Sequence, residues 1–159
     1  MKAILSKILI ATFAVFATVN ANAAGEPMKI KISSGGIVIT AELTDNATSR
    51  DLYSKLPLNV NLIMHEDREV YADIELSKDA VMDNGYVPGD IAYYVPGNAL
   101  VLYYAPGHTD GLIRMGRMSG WEQLAQINSS FSATIEQDTS VPETVDVMEQ
   151  EIVNPVYDE

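Results

Sequence analysis

Two neighbouring segments of the chain, residues 91–95 and 99–104, are apolar at nearly every position instead of alternating with polar residues. Their β-branched and aromatic content is typical of strands, and the intervening Pro96-Gly97 is the pair that a type II turn prefers at its centre. Strands that are apolar on both faces belong inside a closed or covered sheet, because an exposed strand of this kind invites intermolecular pairing. The chain is therefore expected to build a sheet that is covered on both sides.

The rest of the chain up to residue 131 also carries mainly strand signals. A hairpin is predicted for residues 29–33 and 37–41, which flank the turn residues Ser34-Gly35-Gly36. Further strands are predicted over residues 58–64, 70–76 and 112–118, with turn residues over 83–89 and a loop over 105–111.

Two short helices are predicted to interrupt these strands. After the first hairpin, Asn46 or Thr48 is suited to cap a helix that ends before Pro57. Later in the chain, Ser119 and Glu122 have the spacing of a capping box, in which each side chain bonds a backbone amide near the other residue. Many short strands with only two helices predict a mostly β fold, a small closed barrel that the helices plug or flank.

The first 23 residues have the pattern of a secretory signal peptide. Lys2 and Lys7 precede an uncharged run over residues 8–19, and Ala21-Asn22-Ala23 has the small-residue form that signal peptidase cleaves. The apolar run is shorter than the roughly 20 residues that span a bilayer. We therefore expect the mature chain to begin at Ala24, to be periplasmic or secreted, and to make no membrane contact after cleavage.

The chain is acidic, with a formal net charge of −12, and it has no cysteine. Such a surface disfavours nucleic acid as a partner, and the missing thiols exclude disulfides, thiol catalysis and thiolate metal sites. Residues 132–159 contain no Lys or Arg, so we expect residues 24–131 to form the domain and residues 132–159 a disordered acidic tail. The alternative is that apolar tail residues pack onto an edge strand, namely Val141, Val145, Val147, Ile152 and Val153.

Three parts of the domain, taken in order, resemble the bacterial cyclophilin-like family. They are Thr44-Asp45-Asn46-Ala47-Thr48 leading to Leu56-Pro57-Leu58, Gly89-Asp90-Ile91-Ala92-Tyr93-Tyr94 with Pro96-Gly97, and Met115-Gly116-Arg117-Met118 before a capped helix. The resemblance covers nearly all of residues 28–127 and implies the cyclophilin-like β-barrel. The family's biochemical role is not generally established, so the resemblance implies a fold and not a function.

True cyclophilins carry an Arg in a Phe-His-Arg-type strand beside an apolar pocket for the substrate proline, and this motif is absent here. The corresponding interval, residues 60–76, instead contains the acidic run His65-Glu66-Asp67-Arg68-Glu69. No serine nucleophile or phosphate-loop pattern is evident. The sequence favours a binding module over an enzyme; the alternative is a periplasmic peptidyl-prolyl cis-trans isomerase in which Arg68 or Arg117 acts on the substrate.

Tyrosines are concentrated in the predicted central strands. Neighbouring tyrosines on a strand point to opposite faces, so one of each pair is available to line a groove for a peptide or small ligand. The alternative is that these rings only fill the core. The predicted ligand-binding residues are His65, Tyr71, Tyr94, Tyr104 and Arg117.

A metal site is the remaining candidate. His65, Asp67 and Glu69 would share one side of an extended strand, while His108 with Asp110 lies in a separate loop. A catalytic zinc site needs three well-placed ligands and further groups that orient them, and this spacing does not specify such a set. We expect a solvated turn here, no metal and no cofactor; the sequence does not specify an oligomeric state.

Overall fold

The computed structural model describes residues 26–140, and nine strands account for most of that part of the chain. The strands are β1 (Met28–Ser34), β2 (Ile37–Leu43), β3 (Leu58–His65), β4 (Glu69–Asp73), β5 (Asp83–Tyr86), β6 (Asp90–Tyr94), β7 (Ala99–Tyr103), β8 (Gly107–Ser119) and β9 (Phe131–Gln137). The helical elements are α1 (Ala47–Lys55) and two 3₁₀ segments, Val95–Gly97 and Trp121–Gln126. The predicted signal peptide lies outside the described residues.

Eight of these strands form a closed antiparallel barrel. They are hydrogen-bonded in the order β2-β1-β9-β3-β4-β7-β6-β8, and β8 pairs back onto β2 to close the ring. The remaining strand, β5, lies outside the ring and pairs with the first half of β8. The predicted fold class, a mostly β, small closed barrel with two short helices, is confirmed.

The barrel interior holds the main core, because alternate strand residues point inward. On β4 these residues are Val70 and Ala72, and on β7 they are Leu100 and Leu102. On the outer face of β6 and β7, the residues Ala92, Ala99, Val101 and Tyr103 form a second apolar cluster with Tyr86 of β5 and Leu112 of β8. Both faces of the two apolar strands therefore carry buried apolar side chains.

The first hairpin forms as predicted, whereas the second uses a different turn. Gly35 and Gly36 have φ angles of +52° and +101°, which glycine adopts without a Cβ penalty. The predicted type II turn at Pro96-Gly97 is wrong, because Val95–Gly97 forms a single 3₁₀ turn. Asn98 then takes the left-handed conformation that returns the chain to β7, as asparagine tolerates.

The first helix also agrees with its predicted cap. The Asn46 side chain accepts a hydrogen bond of 2.9 Å from the Ser49 amide, and α1 ends at Lys55, before Pro57. The second helix is a 3₁₀ segment, and its predicted capping box at Ser119 is wrong, because Gly120 occupies the cap position without a side-chain bond. The Gln123 side chain instead donates to the carbonyl of Val38 on β2, at 2.8 Å.

Two segments that lack strong strand signals become strands by pairing with each other. β5 lies within the predicted turn region 83–89, and β8 begins at Gly107, inside the predicted loop 105–111. Asp83 pairs with Leu112 and Gly85 pairs with His108, with a register shift between the two pairs. The partner strand, and not the local sequence, therefore makes these residues extended.

The expected end of the domain at Phe131 needs correction, because the residues that follow it are part of the barrel. β9 occupies the ring position between β1 and β3. Its inward residues Ala133 and Ile135 are buried and alternate with polar neighbours. This period of two was hidden by the acidic composition of the whole interval. Residues 141–159, with the five apolar side chains of the packing alternative, lie outside the described residues.

Candidate functional site

The outer face of β3, β4, β7 and β6 carries a concave surface of about 300 Å³ that we call the tyrosine groove. Tyr71 and Tyr94 form its walls, and Ala99 and Val101 form its floor. The ends are acidic or titratable: His65 and Glu69 lie at one end and Asp73 at the other. A groove of this size is at the lower limit for small-molecule sites.

Strand register explains why these side chains meet. Glu69, Tyr71 and Asp73 occupy alternate positions of β4 and so share its outer face. Across the sheet, Tyr71 is paired with Val101, and Asp73 is paired with Ala99. The small floor residues leave the space that the two larger tyrosine rings border.

The groove brings together three of the five predicted ligand-binding residues, His65, Tyr71 and Tyr94. The other two lie elsewhere. Tyr104 belongs to the barrel core, and its buried hydroxyl has no hydrogen-bond partner within the described residues. Arg117 lies on β8, away from the residues that line the groove.

Arg117 takes part in an ion cluster around a buried carboxylate. Asp90 is only 1% exposed and accepts a hydrogen bond of 2.5 Å from Arg117 and another from Arg114. It also accepts from the Val87 amide at 3.0 Å. Arg114 also donates a hydrogen bond to Asp83, and this bond is the main reason that the pKa of Arg114 is raised. These contacts fasten β8 to β6 and β5, which gives both arginines a structural role.

The tyrosine pairs do point to opposite faces. Tyr93 lies in the barrel core, where its hydroxyl accepts from the Leu76 amide at 3.2 Å. Tyr103 points outward and stacks on Tyr86, with ring centroids 3.7 Å apart. Burial raises the pKa of Tyr103, and the Tyr86 hydroxyl has no hydrogen-bond partner among the described residues. These stacked rings pack beside the groove, on the same outer face of the sheet.

A smaller hollow of about 130 Å³ adjoins the His65 end of the groove. It shares His65, Glu69, Tyr94 and Val101 with the groove and adds Arg68, Tyr103 and Thr109. The sequence argument named neither Glu69 nor Asp73 as ligand-binding, although both alternate with Tyr71 along β4. The same period of two that selected Tyr71 would have found them.

Glu69 is the most unusual charged group of the site, because its side chain is only 12% exposed. Burial raises its pKa, against the opposing effect of the neighbouring Arg68. The Arg68 Nε lies 3.5 Å from Glu69, too far for a well-formed hydrogen bond. Arg68 makes a closer ion pair with Glu66, at 2.8 Å. His65 completes this end with an edge-on contact to the Tyr71 ring at 6.2 Å.

Three other depressions are larger than the groove but offer less to a ligand. The smallest of them, of about 340 Å³, contains Arg117, which is already bonded to Asp90. One, of about 530 Å³, lies beside the first hairpin and has no charged or aromatic side chain in its lining. Another, of about 540 Å³, lies near α1 and the loop that holds the exposed Val81. Its two arginines are already paired, Arg50 with Asp45 and Arg114 with Asp83. The tyrosine groove is therefore the better candidate site.

Within residues 26–140, no three His, Asp or Glu side chains are grouped closely enough to hold a metal ion. None of the helices in that range has the length and apolar character needed to span a bilayer.

Comparison with known proteins gives information on the fold of the chain but not on the groove. Residues 32–136 match the model of the Cyclophilin-like family. The chain is also similar to the solution structure of a hypothetical protein from Archaeoglobus fulgidus, with a TM-score of 0.56 and 20% sequence identity over 73% of this chain and 98% of that chain. No curated protein matched. At this level of identity the likeness shows the fold alone.

Proposed function

Because the chain belongs to the cyclophilin-like family, whose fold alone does not fix a function, we propose that its domain is a binding module for a peptide or a small ligand. The observation that carries this proposal is the convergence of His65, Tyr71 and Tyr94 on one groove. Aromatic walls, a floor of small side chains and a few polar groups at the ends are the usual composition of a ligand site.

The proposal requires a groove that keeps its shape without a ligand. The floor strands β4 and β7 are central in the closed ring, where each is paired on both sides. Their inward residues are fully buried, and the stacked Tyr86 and Tyr103 pack on the outer face beside the floor. A preformed groove loses little conformational entropy on binding, which favours affinity.

Ligands that bind the groove should raise the melting temperature of the mature protein and should fail to do so in Tyr94→Ala. A ligand present at about a hundredfold its Kd stabilises the native state by about 2.7 kcal/mol, which is several degrees for a domain of this size. The measurement is thermal unfolding with a library of short peptides and small molecules. Each variant is compared with its own unliganded melting temperature.

The matched control is Tyr53→Ala, which removes a half-buried tyrosine from α1, outside the groove. It should retain the ligand-induced shift. A library that produces no shift in the unmodified protein would argue strongly against a binding module, and a shift that survives Tyr94→Ala would place the site elsewhere.

A second candidate function is peptidyl-prolyl isomerisation, and the placement of one arginine favours it. The Arg68 side chain is 35% exposed and lines the hollow that adjoins the groove, where its guanidinium could donate to a bound prolyl group. The same protein is therefore assayed in a protease-coupled proline isomerisation reaction, beside Arg68→Ala. Catalysis that is lost in this variant would favour the enzyme over the binding module, whereas a rate equal to that of buffer would eliminate the isomerase.

We further propose that the domain acts outside the cytoplasm, in the periplasm or as a secreted protein, on the basis of the signal-peptide pattern in residues 1–23. Expression of the full chain in a bacterium should yield a processed protein that begins at Ala24. Intact mass and N-terminal sequencing of the periplasmic and cytoplasmic fractions measure this. Unprocessed chain confined to the cytoplasm would refute export, and Ala23→Asp, which blocks the cleavage site, should leave the signal peptide attached.

A further inference from the structure

We infer that the tyrosine groove takes a cationic group, an alkylammonium or a guanidinium, with Glu69 as its counter-ion. This inference names the ligand class of the site and so rests on the proposed binding function. It depends on three features of the groove: the placement of its carboxylates, the burial of one of them, and the charge balance around it.

The groove has a carboxylate at each end and aromatic rings between them. Glu69 and Asp73 share the outer face of β4 and are four residues apart, which is about 13 Å along a strand. The walls between them are Tyr71 and Tyr94. A cation over a tyrosine face is attracted by the ring electrons, and the attraction is stronger where water is excluded. An extended apolar chain with a positive end matches this arrangement.

The Glu69 carboxylate lacks the donors that a buried carboxylate normally has. Its side chain is 12% exposed, and no hydrogen bond from a described residue contributes to its pKa. The nearest cation, the Nε of Arg68, is 3.5 Å away and is itself without a hydrogen-bond partner among the described residues. A largely buried carboxylate is less well hydrated than an exposed one, and a bound cationic donor would compensate for the lost hydration.

Charges around the groove leave a negative excess. Arg68 is balanced by Glu66 at 2.8 Å, while Glu69 and Asp73 line the groove. His65 has Glu66 as its ion-pair neighbour, at 3.7 Å. The whole chain carries −12, which steers cations toward the protein and repels anions.

The test is calorimetric titration of the full mature chain at neutral pH with two cationic probes. Spermidine represents a free amine, and a short capped peptide with one lysine represents a basic side chain; 1,8-octanediol and the matching norleucine peptide are the neutral controls. We expect the cations to bind and the neutral controls not to bind. Glu69→Gln should weaken cation binding by about tenfold or more, since a charge-assisted bond is lost. The tighter of the two probes identifies the source of the cation.

The matched control is Glu42→Gln on β2, which is four ring positions from β4 and so lies across the barrel. It removes the same charge and should leave the affinity unchanged. Equal losses in the two variants would show diffuse attraction to an acidic protein and would overturn the inference. The inference would also be overturned if neutral library compounds bound the groove as tightly as the cations and Glu69→Gln did not change their affinity. The binding function itself would stand in that case. If no compound of either kind binds, the binding function fails as well.

Acidification provides an independent readout of Glu69. Burial raises its pKa, while Arg68 and His65 act in the opposite direction. A cation needs the ionised carboxylate, so affinity should be full above the raised pKa and should fall as the pH drops through it. In Glu69→Gln this part of the pH dependence should disappear, whereas Asp73, His65 and Glu66 still titrate. An unchanged pH profile would overturn the assignment of Glu69 as the counter-ion.

Discussion

A mature chain that stops after Phe131 is expected not to fold, because the truncation removes β9 from the middle of the ring. This strand pairs with β1 on one side and with β3 on the other, so its loss opens the barrel. Ile135 is fully buried, and reducing one such side chain to alanine costs about 2–5 kcal/mol. Since a whole domain is stable by only about 5–15 kcal/mol, loss of the entire strand should abolish cooperative unfolding. Thermal and urea unfolding followed by circular dichroism measure this.

The control is a chain that stops after Ser140, which retains all nine strands of the described residues. It should melt within a few degrees of the full mature chain. Cooperative melting of the shorter chain at the same temperature would show that β9 is dispensable and would contradict the structure. Unfolding of the longer one would instead show that residues 141–159 stabilise the domain, as the alternative with Val141 and Val153 on an edge strand requires.

The barrel could be predicted from the sequence because the local residue pattern identifies most of its strands. The segments around Ile91 and Leu100 are apolar on both faces, and Gly35-Gly36 specifies a hairpin without help from the rest of the chain. The prediction failed where a strand depends on its partner. β5 and the first half of β8 contain glycine, aspartate and asparagine, which have low strand propensity, and only their mutual pairing makes them extended.

Composition misled the prediction at the end of the domain. β9 was grouped with the acidic residues that follow, although Ala133 and Ile135 alternate with polar neighbours as a barrel strand requires. Average charge over a long interval describes solubility, whereas the period of the apolar residues describes which face is buried. The alternating pattern of a seven-residue strand has little effect on the average composition of a segment four times longer.

For the site, the sequence specified residue types but not faces of the closed barrel. Alternation predicts that Tyr93 and Tyr94 point to opposite faces, as do Tyr103 and Tyr104, but it does not say which ring of each pair points into the barrel. Arg117 was a plausible ligand contact until its partner became visible. Nothing local to β8 indicates that Asp90, 27 residues earlier, accepts its hydrogen bond.

Glycine at position 116 is expected to be indispensable for closing the barrel. Here β8 bends, because its register with β6 shifts by one residue between Ile91 and Ala92, and a bulge of this kind turns a strand toward a new partner. Gly116 then faces Leu43 in the seam with β2. A Cβ at this position would lie 2.2 Å from the carbonyl oxygen of Glu42, which belongs to the backbone of the seam.

Gly116→Ala should therefore destabilise the domain by about 3 kcal/mol or more, since the seam must open by a large part of an ångström to admit one methyl group. Gly85→Ala is the matched control, because a Cβ at Gly85 meets nothing within 4 Å, and it should change stability by no more than about 0.5 kcal/mol. Urea unfolding of both variants measures the difference in free energy. Equal stability of the two would show that β2 and β8 are not in contact at Gly116, and the ring of eight strands would then be open at this seam.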